Sequence, residues 1–234
     1  MEAGPMLSIE THEQITVLTF GIPPANRMTR EFFEAFSREI DTIRTDPDIR
    51  ALIIRGSGRH FSQGADIADL LSAFAPYPEG EIPPFFEENR KTFEKISHLK
   101  IPVIAALQGV CLGSALELAM FCHFRICARG ALMSLPEASF NLMPGCGGTQ
   151  VLQKLTRRNT ALELMLGGRN VSPEDALQLG LVDAVCEKND LIRICRNLAS
   201  QINLNFDVCK KAYYLEKVLE KIPGAEIRIP GYNQ

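Results

Sequence analysis

Nothing in this chain of 234 residues is apolar for long enough to span a membrane, because Gly, Gln or a charge interrupts every greasy stretch. No long run of one charge sign occurs, and the net charge is -3. That balance argues against a nucleic-acid surface. No C-x-x-C is present, and no two of the four histidines have metal-ligand spacing. The seven cysteines (Cys111, Cys122, Cys127, Cys146, Cys186, Cys195, Cys209) mostly lie in apolar contexts. They read as reduced, packed thiols rather than disulfides or zinc ligands. The opening MEAGPMLSIE has no basic region before an apolar core, so no signal peptide is expected and the address reads as cytoplasmic. There is no internal repeat, no low-complexity segment, and neither a Walker A nor a G-x-G-x-x-G spacing.

What is present is ordinary in bulk, with 46% apolar and 23% charged residues. Met6 to Thr11 and Ile15 to Phe20 read as a β-hairpin around His12-Glu13-Gln14. Two prolines make Gly21 to Asn26 a loop. Phe33, Phe36, Ile40 and Ile43 predict a helix over Thr29 to Arg44, with Glu31 in its first turn. Ala51 to Ile54 is a short continuous apolar strand of the kind buried on both faces. In HFSQGADI, Gly64 suggests close backbone approach or a positive φ. Helices are expected over Asp66 to Phe74 and Phe85 to His98, the latter with Phe86, Phe93 and Ile96 on one side. The Pro-rich segment from Ala75 to Pro84 lies between them.

Val103 to Glu137 organises the rest. Val103 to Leu107 reads as a buried strand, and Gln108, Gly109 and Gly113 break the run before a helix from about Ser114. Glu117 sits inside that helix among Leu116, Leu118, Ala119 and Met120, where an unpaired charge is costly. It is either functional, on a solvated helix edge, or buried with an Arg partner. Strands over Phe124 to Ala128 and Leu132 to Leu135 follow. Pro144 to Thr149 is a Gly-rich turn opening a helix over Thr149 to Leu155; its free N–H groups suit an anion, or the glycines serve tight packing. Asn159 to Leu166 is helical. Ser172 and Pro173 cap and start another helix, which Gly180 closes. A strand over Leu181 to Cys186, helices over Leu191 to Ile202 and Val208 to Lys221, and a loose tail from Pro223 complete the reading. The order predicts an α/β fold with a mixed sheet and a helical C-terminal layer.

HFSQGADI, KIPVIAALQGVCLGSALELAM, SLPEASFNLMPGCGGTQVL and VSPEDALQLGLVDAV, in that order, resemble the enoyl-CoA hydratase/isomerase (crotonase) family over about Leu7 to Val185. The resemblance implies a crotonase-like ββα spiral with two nearly perpendicular sheets, and trimers often paired into hexamers. It implies a spiral core domain with the thioester site over 1–187 and a short C-terminal helical region over 188–234. It also implies an enolate mechanism on a coenzyme A thioester. By motif position, the backbone N–H groups of Ala65 and Ser114 would hold the thioester oxygen, and Glu117 and Glu137 would be the acid–base pair. Gly145 would help hold the water. Ala25, Arg27, Ser62, Gly64 and Ile67 would contact coenzyme A, which is part of the substrate; no separate cofactor and no metal are expected. Arg27, Arg30 and Arg59 are either phosphate contacts or surface charges. The acyl chain is expected toward Ala68 to Phe93. Both glutamates favour hydration over isomerisation. Alternatives are enoyl-CoA isomerisation, a dehydratase or decarboxylase acting on a carrier-bound thioester, and a non-catalytic scaffold or RNA-binding relative. Three departures stand out. Gly113-Ser114-Ala115 replaces a run of glycines, and His123 follows Cys where the family commonly has Asp. The family also usually continues some tens of residues further, so a shortened C-terminal region is expected.

Overall fold

The computed structural model describes residues 5–78 and 81–202 and the backbone of 225–227. The expected helix over Val208 to Lys221, and Cys209 within it, lie outside the described residues. The hairpin forms as β1 (Leu7–His12) and β2 (Ile15–Phe20), with His12 opposite Ile15. Its two turn residues, Glu13 and Gln14, both take positive φ (50° and 65°), the sense that matches strand twist. Helix α1 (Arg30–Thr45) starts where Thr29 accepts the Phe32 N–H, and it buries Phe32, Phe33, Phe36, Ile40 and Ile43.

A strand or helix then follows each turn of the chain: β3 (Ala51–Gly56), α2 (Ile67–Phe74), α3 (Pro84–Ser97), β4 (Val103–Leu107), β5 (Val110–Leu112), α4 (Ser114–Phe121), β6 (Phe124–Ala128) and β7 (Leu132–Ser134). Next come α5 (Gly148–Leu155), α6 (Arg158–Gly167), α7 (Pro173–Leu179), β8 (Ala184–Cys186), α8 (Leu191–Gln201) and β9 (Ala225–Ile227). The segment from Pro223 therefore contains a strand, contrary to the expected loose tail. β9 pairs antiparallel with β8, and the backbone hydrogen bonds of that edge account for it.

The main sheet has seven strands in the order β1-β2-β3-β4-β6-β8-β9, parallel except at its two outer pairs. Its central strands are continuously apolar because both faces are covered. Leu52, Ile54, Val103, Ala105 and Leu107 point to the face packed by α1, α3 and α4. Ile53, Ile104, Ala106, Phe124 and Ile126 point to the face covered by α8, through Leu191, Ile194, Cys195 and Leu198. A second, two-stranded parallel sheet pairs β5 with β7. Isolated bridges Met28–Ala65, Ser62–Cys111 and Met133–Val171 extend its line on both sides. This second layer carries Ser62, Ala65 and the start of α4. β5 is absent from the sequence expectation because Gly109 and Gly113 bracket only three residues, too few for a periodic signal.

Candidate active site

Gly113 ends β5 with φ +53°, and its N–H donates to the Ser134 carbonyl at 2.9 Å. α4 begins on the next residue. All eight of its residues are buried, as expected of a helix that is apolar all round. Glu117 is only 1% exposed. It is neither on a solvated edge nor, among the described residues, paired with an arginine. Its Oε1 accepts the N–H groups of Cys146 (2.9 Å) and Gly148 (2.8 Å). Those donors belong to the Gly-rich turn and the start of α5, so the acceptor that this helix N-terminus meets is a carboxyl of the protein itself. A Cβ at Gly148 would sit 2.8 Å from Glu117 Oε1, which fixes glycine there. Burial, then the nearby Glu137, pushes the Glu117 carboxyl up to about 8, against the lowering effect of the two N–H donors.

Glu137 lies in a single 3₁₀ turn over Pro136–Phe140, which Asn141 ends in the left-handed conformation (φ 57°). The sequence reading had no helical element here; five residues behind a proline are too short to show one. A Cβ on Gly113 would meet Glu137 Oε1 at 2.9 Å, so the second glutamate reaches back to the residue that starts the first glutamate's helix. Glu137 Oε2 is buried without a hydrogen-bond partner among the described residues. Burial raises this carboxyl to about 7. Both carboxyls are thus held above the ordinary carboxylate range, and like charges this close resist ionising together, so the pair favours a state that shares one proton.

Two backbone segments adjoin the start of α4. Ala65 bridges Met28 through its neighbours: Met28 N–H donates to the Gly64 carbonyl (2.9 Å) and Asp66 N–H to the Met28 carbonyl (3.0 Å). This parallel register turns the N–H of Ala65 itself away from Met28. Ser114 is the first residue of α4, so its N–H has no intrahelical acceptor. Gly64 joins the two segments. It has φ +88°, and a Cβ there would meet the Leu112 carbonyl oxygen at 2.6 Å and stand 3.7 Å from the Ser114 nitrogen. Both readings of Gly64, close approach and positive φ, hold.

The remaining expected contacts are spread around this centre. Ala25 and Arg27 line a cleft of about 190 Å³ with Met6, Ile22, Pro24 and Thr29. Arg27 is 3.9 Å from Asp66, and its side chain is 41% exposed. Arg30 pairs with Glu34 along α1. Ser62 is fully buried, and its hydroxyl accepts the Gly64 N–H at 3.0 Å. Ile67, half exposed, opens α2 just past Asp66, whose carboxylate caps that helix. Gly145 gives Glu117 no hydrogen bond; its neighbours Cys146 and Gly148 do. A Cβ on Gly145 would lie 2.4 Å from the ring of Phe86. Phe86 thus leaves the core face of α3, where Phe93 and Ile96 are buried, and turns to the site instead.

Several supporting contacts were not legible in the sequence. Arg125, 1% exposed, pairs with Asp183 at 3.1 Å and donates to the carbonyls of Cys122 (2.7 Å) and Leu181 (2.9 Å). It thereby holds the C-terminal end of α4. His123 accepts the Val103 N–H on Nδ1 (3.0 Å), which puts its proton on Nε2, facing the Ser97 carbonyl (3.3 Å). Imidazole thus joins the end of α3 to the start of β4. Asn26, fully buried at φ 50°, donates to the carbonyls of Ser57, His60 and Phe61. A buried Arg and His inside apolar runs are visible in sequence, but their partners are not. All six described cysteines are buried, and among the described residues none forms a disulfide.

A ladder of strand–helix units around a mixed sheet, with Glu117 buried at the start of one helix and Glu137 reaching back to it, suits a crotonase-type fold. The comparisons agree. The sequence profile described as enoyl-CoA hydratase/isomerase matches residues 10–223. A Bacillus subtilis protein named "Probable enoyl-CoA hydratase" is 39% identical over 176 residues, covering 75% of this chain and 67% of its own length. The fatty acid oxidation complex subunit alpha of Shewanella putrefaciens is 36% identical over 190 residues, or 79% of this chain, but the match spans only 26% of that longer protein. The solved enoyl-CoA hydratase of Geobacillus kaustophilus superposes with a TM-score of 0.78 at 26% identity, covering 93% of this chain and 89% of that one. The chain belongs to the enoyl-CoA hydratase/isomerase family, a family of enzymes. Among the described residues, no helix is long and apolar enough to cross a membrane.

Proposed function

We propose that the chain is a hydratase-type lyase, adding water to, or removing it from, the double bond of an α,β-unsaturated acyl thioester. One observation carries this reading: the buried Glu117 and the half-buried Glu137 are both held above the usual carboxylate range, and Glu137 reaches Gly113 at the start of the helix that carries Glu117, where Gly64 approaches the Ser114 nitrogen. A pair with one proton and one charge suits this reaction. The carboxylate takes a proton from water as the water oxygen bonds to Cβ. The C=C electron pair moves through Cα–C to the thioester oxygen, and the N–H groups of Ala65 and Ser114 stabilise the resulting enolate. The carboxylic acid then delivers its proton to Cα, and proton exchange between the two acids restores the starting state. Each N–H donor is worth about 10²–10³ in rate, and acid–base help about 10²–10⁴.

Coenzyme A, as part of the substrate, is assigned to the cleft beside Ala25 and Arg27, and to the backbone around Ser62, Gly64 and Ile67. Gly145 is assigned to the water. The acyl chain is assigned to the side of Phe86. A core over 1–187, a short C-terminal region over 188–234 that holds α8 and the edge strand β9, a homotrimer or dimer of trimers, and a cytoplasmic address are parts of this proposal. The relatives' names support the substrate class. The experiment is an assay of purified protein with crotonyl-CoA, longer enoyl-CoAs and the same acyl groups on a carrier protein, with products read by mass. Hydration adds a water; an unchanged mass with a moved double bond gives isomerisation instead. A Glu137→Gln variant with full rate removes the mechanism.

A further inference from the structure

Met28 touches both segments that adjoin the start of α4. Its backbone brackets Ala65: the Met28 N–H donates to the Gly64 carbonyl at 2.9 Å, and the Met28 carbonyl accepts the Asp66 N–H at 3.0 Å. Its side chain reaches further. The Ser114 hydroxyl donates to Met28 Sδ at 3.4 Å, across 86 positions of sequence. Met28 is 1% exposed and Ser114 7%, so solvent does not compete for that bond. From this geometry we infer that Met28 is a positioning residue for the reaction proposed above: its backbone and thioether together fix the N–H of Ser114 against the N–H of Ala65, and so set the gap in which the thioester oxygen is held.

The order of the segments explains why a long side chain is needed. Met28 pairs with the 62–66 segment. That segment pairs in turn with β5, through the Ser62–Cys111 bridge and the Leu112 N–H on the Ser62 carbonyl (3.1 Å). Ser114 follows β5, so the thioether crosses the intervening segment to meet it. An unbranched, polarisable side chain suits that reach. A serine also stands where the resemblance expects a glycine. Its hydroxyl is turned to sulfur inside the protein, so the added bulk of Ser114 acts as a tether. The tether holds the first residue of α4, the helix that carries Glu117 on its next turn. A buried hydroxyl that loses its acceptor is costly, which makes the contact selective for one arrangement of the two segments.

The test compares Met28→Leu, Ser114→Ala and the double variant with the parent. Leucine keeps the volume of methionine and removes the acceptor. One readout is kcat and KM on crotonyl-CoA. The other is the infrared carbonyl stretch of bound butyryl-CoA, isotopically labelled at the thioester carbon. That saturated thioester has no double bond to hydrate, and its band moves to lower frequency as donors close on the oxygen. Each single variant should lower kcat about 3- to 10-fold with KM nearly unchanged, the share of one weak neutral hydrogen bond. That is less than the roughly 10²–10³ lost with a whole oxyanion donor. Each should also give back part of the band shift. The double variant should match Ser114→Ala, because the two side chains form one contact. Additive losses in the double variant overturn the inference. So does Met28→Leu with parent-like kcat and band and only a lower Tm, since packing then accounts for Met28. The infrared arm needs no turnover. A chain that hydrates no enoyl thioester, yet shifts the butyryl-CoA band less in the variants than in the parent, sinks the hydratase reading and leaves the role of Met28 standing. An unshifted band in the parent overturns both.

Discussion

Replacing either carboxyl of the proposed Glu117–Glu137 pair by its amide should cost activity and return stability, and the pH dependence gives the sign. Burial raises Glu117 to about 8 and Glu137 to about 7, from an ordinary 4.5. Over that interval the folded protein binds more protons than the unfolded chain. Stability therefore falls as pH rises, by about 1.4 kcal/mol per pH unit for each group in its own window. The favourable contribution is complete below about pH 4.5 and is lost once pH passes the folded values near 7 and 8. The Oε1 of Glu117→Gln can still accept the N–H groups of Cys146 and Gly148, but the side chain carries no charge to desolvate. At pH 9 the amide variant should be more stable than the parent by a few kcal/mol, a gain of roughly 5 to 10 °C in Tm for a chain of this size. At pH 4.5 the two should melt together. Enoyl-thioester turnover should fall by about 10² or more. Urea unfolding of parent and variant at pH 4.5, 7 and 9 reads the difference, so other titrating groups cancel. A variant no more stable than the parent at pH 9 would refute the claim that this carboxyl is buried without a cationic partner.

Three further outcomes follow from packing. Gly148→Ala puts a methyl 2.8 Å from Glu117 Cγ and Oε1; displacing the carboxyl should lower kcat by roughly 10²-fold and stability by about 1–3 kcal/mol, read by kinetics and urea titration. Arg125→Met removes the guanidinium from buried Asp183 and from the carbonyls at the end of α4; unfolding should become about 3–5 kcal/mol easier, and Arg125→Met/Asp183→Leu should recover part of it. His123→Ala leaves the buried Val103 N–H without its imidazole acceptor; a loss of about 1–3 kcal/mol is expected, and His123→Asn, which both accepts and donates, should recover most of it in thermal melts.

The apolar strands were readable because sheet burial leaves a strong pattern: Ala51 to Ile54 and Val103 to Leu107 are greasy at every position, as double-sided covering requires. Helices with apolar periodicity and a cap, such as α1 behind Thr29 and α7 behind Ser172, were readable for the same local reason. Short elements were not. β5 and the 3₁₀ turn around Glu137 are held by partners distant in sequence, Ser62 and Val171 among the residues that build that layer. The Gly-rich turn read as either an anion holder or a tightly packed turn, and the group its N–H donors meet is a carboxyl side chain 29 positions earlier in the chain.

The sequence by itself determined the family, the alternation of strand and helix, and the presence of a carboxylate in an apolar helix, since motif order and hydrophobic period are local or linear properties. Only the tertiary structure decided that Glu117 is held by backbone amides rather than an arginine, that Glu137 reaches back to Gly113, and that His123 and Arg125 brace the ends of neighbouring elements. Those facts depend on which backbone groups are left unpaired when the chain folds on itself, and no one-dimensional pattern records that.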